Sequence, residues 1–149
     1  MAQEWIAHTQ KIKTFYNWSI HDLAKELELS QLEIDILLFL HNNPKNNVAR
    51  DLCNLRGIAK SNASNGIRLL EKKGFLVSSA DADSRKIRRL NLTSAGQGIA
   101  KRLAAKQRDI FETMFAGVSK EQIQIVQQIM DQCEKNMEEQ MKLNFLYNL

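Results

Sequence analysis

Residues 48–92 read VARDLCNLRGIAKSNASNGIRLLEKKGFLVSSADADSRKIRRLNL. The stretch is punctuated at regular intervals, and the punctuation sets the fold. VARDLCNLR has the length of a short helix, with Asn47 placed to cap it and Gly57 to stop it. KSNASNGIRLLEKK reads as a second helix, closed by Gly74. FLVSSA and IRRLNL are short apolar-containing runs on either side of the polar turn DADSRK, the pattern of a β-hairpin. Helix, turn, helix, hairpin is a helix-turn-helix with a β-wing.

The second helix must show one face to a core and another to solvent. Ala63, Ile67 and Leu70 recur at four and three residues and form the inward stripe. Lys60, Ser61, Asn62, Ser64, Asn65 and Arg68 lie away from it. These residue types suit a DNA major groove: Asn can pair with both acceptor and donor of adenine, and Arg with guanine. Lys60 and Ser61, at the helix start, can hold a phosphate together with free backbone amides. Ala63 and Gly66 permit close packing or close approach. An ordinary polar surface helix is the competing reading, and Ser and Asn, poor helix formers, count against it.

The hairpin then accounts for the cations in SRKIRRL (84–90). A hairpin beside a recognition helix reaches the neighbouring backbone or minor groove, where a guanidinium suits the negative potential. Arg85 and Lys86 sit at the tip. Arg88 and Arg89 follow on the exit strand and point to opposite faces. One of them is therefore available for packing or for pairing with Asp81 or Asp83. Leu90 and Leu92 share a face that anchors the strand to the core.

Outward from this centre the chain is helical. Residues 4–28 carry apolar groups at helical spacing. SQLE at 30–33 is a capping box that opens the apolar helix LEIDILLFLH, which Asn42-Asn43-Pro44 ends. Thr93 caps a long helix to about residue 116. Ser119 and Gln122 form another capping box, before a final helix to about Leu146 whose Val126, Met130, Cys133, Met137 and Met141 make one seam. The chain divides into an N-terminal dimerisation helix (1–29), a winged-helix lobe (30–92) and long C-terminal helices (93–149).

Charge follows the same division. The 149 residues carry a net +4, but residues 45–92 hold 11 Lys and Arg against 4 Asp and Glu. A basic centre between mildly acidic ends suggests a polyanion-binding module carried by something else. The composition is globular, no apolar run approaches the roughly 20 residues of a membrane span, and the N-terminus lacks the apolar stretch of a secretion signal. The expected compartment is cytoplasmic. Cys53, beside Leu52 and Leu55, reads as a buried inert thiol, and Cys133 as seam packing. His8, His21 and His41 are dispersed, and no metal-ligand spacing, nucleophile set or phosphate loop is present. Neither an enzyme nor a cofactor is expected.

The chain resembles the MarR family of winged-helix regulators. The likeness rests on LSQLEIDILLFL, VARDLCNLRGIAKSNASNGIRLLEKKGFL and DADSRKIRRLNLTSAGQ. The last is similar to the family's wing signature: Asp81, Leu92, Thr93 and Gly96 match it. Asp83 stands where Arg is usual, Ser84 where Asp is usual and Lys86 where Arg is usual, while Arg85 occupies the variable position. The resemblance implies a homodimer that reads a pseudo-palindromic double-stranded operator, with recognition helices about 34 Å apart, and a ligand-responsive repressor. It also implies a small-molecule effector pocket, for which Phe15, Tyr16, Trp18 and His21 are candidates, although the same aromatics serve equally as core. Independently, Phe111, Met114, Phe115, Phe145, Leu146, Tyr147 and Leu149 cluster near the end and need a partner. The alternative function is a winged-helix adaptor for protein partners that does not bind DNA.

Overall fold

The computed structural model describes residues 1–147, with side chains to Lys142. The elements run α1 (Ala2–Glu26), α2 (Gln31–Asn42), α3 (Ala49–Arg56), α4 (Lys60–Lys72), β1 (Leu76–Ala80), β2 (Arg88–Leu92), α5 (Ser94–Met114) and α6 (Lys120–Tyr147). Among the described residues the fold is mainly α with one hairpin, as expected. Contacts divide it into two units, Met1–Ile110 and Phe111–Leu149.

The first unit is built on α2. Six of its residues, Ile34 and Ile36 to Leu40, are buried apolar side chains, so this helix is enclosed rather than amphipathic. Ser30 caps it: its hydroxyl accepts from the Glu33 amide at 3.3 Å, and the Glu33 carboxylate accepts from the Ser30 amide at 2.8 Å. Leu52 of α3, Ala63 and Leu70 of α4, Leu76 of β1, Leu90 of β2, Leu103 of α5 and Ile20 of α1 close the core around it. Gly66 allows α4 to approach α2 closely, because a Cβ there would collide with Ile36. Of the two uses open to Gly66 in the sequence, close packing is the one observed.

Two local expectations are corrected. Asn47 does not cap α3; the helix has Val48 at its N-cap, whose amide donates to the Asp51 carboxylate at 3.2 Å. The Asn47 side chain instead donates to the Leu90 carbonyl at 3.2 Å. Leu55 is not on an apolar side; it is 60% exposed, and its neighbour Cys53 is half-buried rather than enclosed. Gly57 and Gly74 do end α3 and α4, each with positive φ, at 71° and 76°.

The strands pair antiparallel, Leu76 with Leu92, Ser78 with Leu90 and Ala80 with Arg88. A third piece of extended chain joins them: Val48 bridges Arg89, and the Leu90 amide donates to the Asn47 carbonyl at 2.7 Å. The base of the hairpin is locked to the start of α5, where Thr93 Oγ1 donates to the Gly74 carbonyl at 2.6 Å and accepts from the Gly96 amide at 3.1 Å.

The second unit holds the end of α5 and α6. The Phe111 and Phe115 rings pack with centroids 4.4 Å apart. Ser119 and Gln122 form the expected capping box. Val126, Met130, Cys133, Met137 and Met141 are all exposed. The side chains of Phe145, Leu146, Tyr147 and Leu149 lie outside the described residues.

Candidate nucleic-acid interface

At 3.6 residues per turn, the buried Ala63, Gly66 and Leu70 of α4 put Ser61, Asn65, Arg68 and Lys72 along the middle of the opposite face. Asn62 flanks that stripe on one side and Ser64 on the other. All nine residues expected to contact DNA, Lys60, Ser61, Asn62, Ser64, Asn65, Arg68, Arg85, Lys86 and Arg88, are exposed. Ala59 stands at the N-cap of α4 and supplies no side-chain cap. The first amides of the helix are thus left without a side-chain acceptor, which is the condition for holding an anion there.

The wing stands across a cleft of about 820 Å³ from α4. Ser64, Ile67 and Glu71 line the helix side, Lys86 and Arg88 the wing side, and Lys45, Arg50 and Asp51 the part formed by the loop before α3 and the first turn of that helix, so two carboxylates stand among the cations. Nothing in the sequence singles out Lys45 and Arg50. Both belong to the basic central segment, but neither lies on the recognition helix or the wing, so only their net charge was visible.

The two strand arginines divide the work. Arg89 Nε donates to Asp81 Oδ1 at 2.5 Å, and its Nη1 donates to Asn47 Oδ1 at 3.1 Å. The neighbouring guanidinium holds the Asp81 carboxyl below the ordinary aspartate range, with help from the Asp83 amide. Arg88, on the other face, is exposed and donates to the Ser78 carbonyl at 3.0 Å. Among the described residues Arg85, Lys86 and Arg88 form no ion pair, whereas Arg56, Lys73, Arg89 and Arg102 do. The unpaired cations of the wing are therefore those at its tip and at the rim of the cleft.

The aromatic candidates on α1 separate. Phe15 and Tyr16 are half-buried against the core. The Tyr16 hydroxyl accepts from Gln107 Nε2 at 2.9 Å. Burial pushes its pKa above the ordinary tyrosine value, more than that hydrogen bond lowers it. Trp18 is 74% exposed and stacks on Phe15 with centroids 6.2 Å apart, and His21 is exposed. Among the described residues no three His, Cys, Asp or Glu side chains come together as metal ligands would, and no helix is long and apolar enough to cross a membrane.

Residues 27–87 match the family model of the MarR family. The fold is similar to solved structures across almost its whole length. A Listeria monocytogenes protein described as a MarR family transcriptional regulator, solved in complex with a 26mer DNA, is 18% identical, with 92% of this chain and 88% of that chain covered at a TM-score of 0.77. The transcriptional regulator SlyA is 20% identical, with 90% and 94% covered at 0.78. A MarR family transcriptional regulator from Silicibacter pomeroyi is 22% identical, with 86% of each chain covered at 0.75. No curated protein matches the chain in sequence.

Proposed function

Starting from a MarR-family winged helix over residues 27–87, we propose that the protein is a sequence-specific, double-stranded-DNA-binding transcriptional regulator of the cytoplasm. It acts by binding rather than by catalysis. The observation that carries this reading is the cleft itself. It sets the Ser64 side of α4 beside Lys86 and Arg88 of the wing, next to the outer face of that helix with Asn65 and Arg68, and Arg85, Lys86 and Arg88 have no acidic partner among the described residues. Exposed cations are commonly solvated without an acidic partner; what supports the reading is their concentration in this lobe, 11 Lys and Arg against 4 Asp and Glu over residues 45–92, for which a phosphate backbone supplies the anions.

In this reading the winged-helix lobe, residues 30–92, holds the DNA. Lys60 and Ser61 anchor phosphate at the open start of α4, the central stripe of α4 enters the major groove, and the wing tip lies along the neighbouring backbone or minor groove. Lys45 and Arg50 add phosphate contacts at the far end of the cleft. Residues 1–29 and 93–149 assemble two copies, so that two lobes meet a pseudo-palindromic operator. The regulator is a repressor responsive to a small molecule held near Phe15, Tyr16, Trp18 and His21. Support for the dimer comes from the exposed apolar surface of α1 and α6, which includes Trp5, Ile6, Ile129 and Met130.

Selection of bound sequences from random duplexes, followed by a salt titration, tests the reading. The slope of log affinity against log salt is expected to be steep. Replacing both Arg85 and Lys86 by Ala should lower that slope by about one per lost phosphate contact per subunit. A folded double variant with an unchanged slope removes the wing from the mechanism. A chain that selects no duplex is instead an adaptor for protein partners.

A further inference from the structure

Asn65 and Arg68 stand three positions apart at the centre of the outward face of α4. Both are exposed, yet they are joined: Arg68 Nη2 donates to Asn65 Oδ1 at 2.9 Å. Among the described residues neither side chain makes another hydrogen bond or ion pair, so the contact serves no packing role.

The geometry changes what each residue can read. A guanidinium has five N–H donors, arranged as two edges that share Nη2. Engaging either hydrogen of Nη2 leaves one edge with both of its donors intact, and such an edge matches O6 and N7 of guanine. Asn65 is affected differently. To read adenine, its oxygen must accept from the base's N6 amino group while its nitrogen donates to N7. Here that oxygen is turned to Arg68.

We propose that Asn65 and Arg68 form one reading unit, in which Asn65 is a positioning residue that presents Arg68 to guanine. The bound duplex then carries a G·C pair opposite Arg68 rather than an A·T pair opposite Asn65. The proposal rests on the DNA-binding reading above and specifies its sequence preference. A long Arg side chain loses rotamer freedom on docking, and a side chain already held by a neighbour loses less. Because an exposed hydrogen bond at this spacing is weak, the gain through Asn65 is about twofold rather than orders of magnitude.

Sites selected from random duplexes by the full chain, with affinities then measured on the best site and its single-base-pair variants, test the proposal. Wild type should require G·C at one position of each recognition site. Arg68→Ala should lose that preference and roughly 5- to 150-fold in affinity. Asn65→Ala should weaken the same preference, and the double variant should be no worse than Arg68→Ala alone. Arg68→Lys keeps the charge and can still donate to guanine, but it lacks the fixed two-edged fork that engages Asn65 and the base together, so its G·C preference should be weaker than wild type and should no longer depend on Asn65. Asn65→Asp is the sharpest arm: a carboxylate can hold Arg68 but cannot donate to adenine N7. It should retain the G·C preference even as its charge lowers overall affinity. Losses that multiply in the double variant, or an Asn65→Ala effect confined to an A·T pair elsewhere, overturn the proposal and leave the DNA-binding reading standing. Failure to bind any duplex in a salt-dependent way overturns both.

Discussion

Glu33 is buried to 3% of its surface, where a lone carboxylate would be costly. It is tolerated because Lys73 Nζ lies 2.7 Å away and the Ser30 amide and hydroxyl donate to its other oxygen at 2.8 and 2.9 Å. Burial acts to raise its pKa, but Lys73 and Ser30 outweigh it and the net shift is downward. The sign of the linkage follows: a lowered folded-state pKa adds stability above the ordinary glutamate range, lost as pH falls through the folded-state value. Glu33→Gln should therefore destabilise the protein at pH 7. We expect about 1–3 kcal/mol, less than for a fully enclosed pair because a third of Lys73 is in water. Its deficit against wild type in denaturant midpoints should shrink as pH falls below about 4. A deficit constant with pH would mean that the charge of Glu33 does nothing there. A neighbouring pair of glycines separates space from propensity. A Cβ on Gly96 would meet the Phe75 carbonyl, whereas one on Gly98 meets nothing within 4 Å. Gly96→Ala should cost about 1–3 kcal/mol by overpacking, and Gly98→Ala should stabilise α5 by roughly 0.5–1 kcal/mol; thermal melts of the two variants decide this.

At the scale of elements, the wing is held by a contact from outside itself. Arg89 ties Asp81, at the start of the wing turn, to Asn47, ahead of α3. Two effects of Asp81→Asn then oppose each other. Removing a negative charge near bound DNA should raise affinity, while releasing Arg89 should unfix the wing and lower it. We expect the second to win, because it disturbs the placement of Arg85, Lys86 and Arg88 together. Asp81→Asn should bind several-fold more weakly than wild type in a salt titration, and tighter binding would show that the pair positions nothing. This clamp also marks the limit of sequence reading. The hairpin is legible because alternation and turn residues are local signals, and so is the division of the strand arginines, one of them free for packing or for pairing with Asp81 or Asp83; that the partner is Asp81 comes from the fold. Asn47 was misread as a cap because its partners lie 42 to 44 residues away. The Glu33–Lys73 pair hid in the same way: the capping box was visible, and the lysine 40 residues on was not. Lys45 and Arg50 entered only as charge, because nothing local brings a loop and a helix start to the end of the wing cleft.

The whole molecule poses the question of what covers its apolar surface. Val126, Met130, Cys133, Met137 and Met141 recur at four and three residues, so they share one face of α6. Met130 and Met137 are 45% and 56% exposed. A run of exposed Met and aliphatic side chains this long on one helix supports the proposed contact with a second copy. Methionine is unbranched and fills irregular gaps between curved helices, which suits packing against a second copy. Because both methionines are exposed, Met130→Lys with Met137→Lys should leave the fold of the single chain intact. In a dimer built on this face the same change buries charges without partners, at a cost of several kcal/mol. The double variant should therefore sediment as a monomer at micromolar concentration, with an unchanged helical circular dichroism signal. Its affinity for a two-half-site duplex should fall to that for a single half-site, since the gain from linking two lobes is lost. Affinity for a single half-site should stay at the wild-type value, which separates loss of the dimer from damage to the lobe. A variant that remains a dimer with full operator affinity would place the interface on other surfaces, with the apolar side of α1 at Trp5 and Ile12 the next to test.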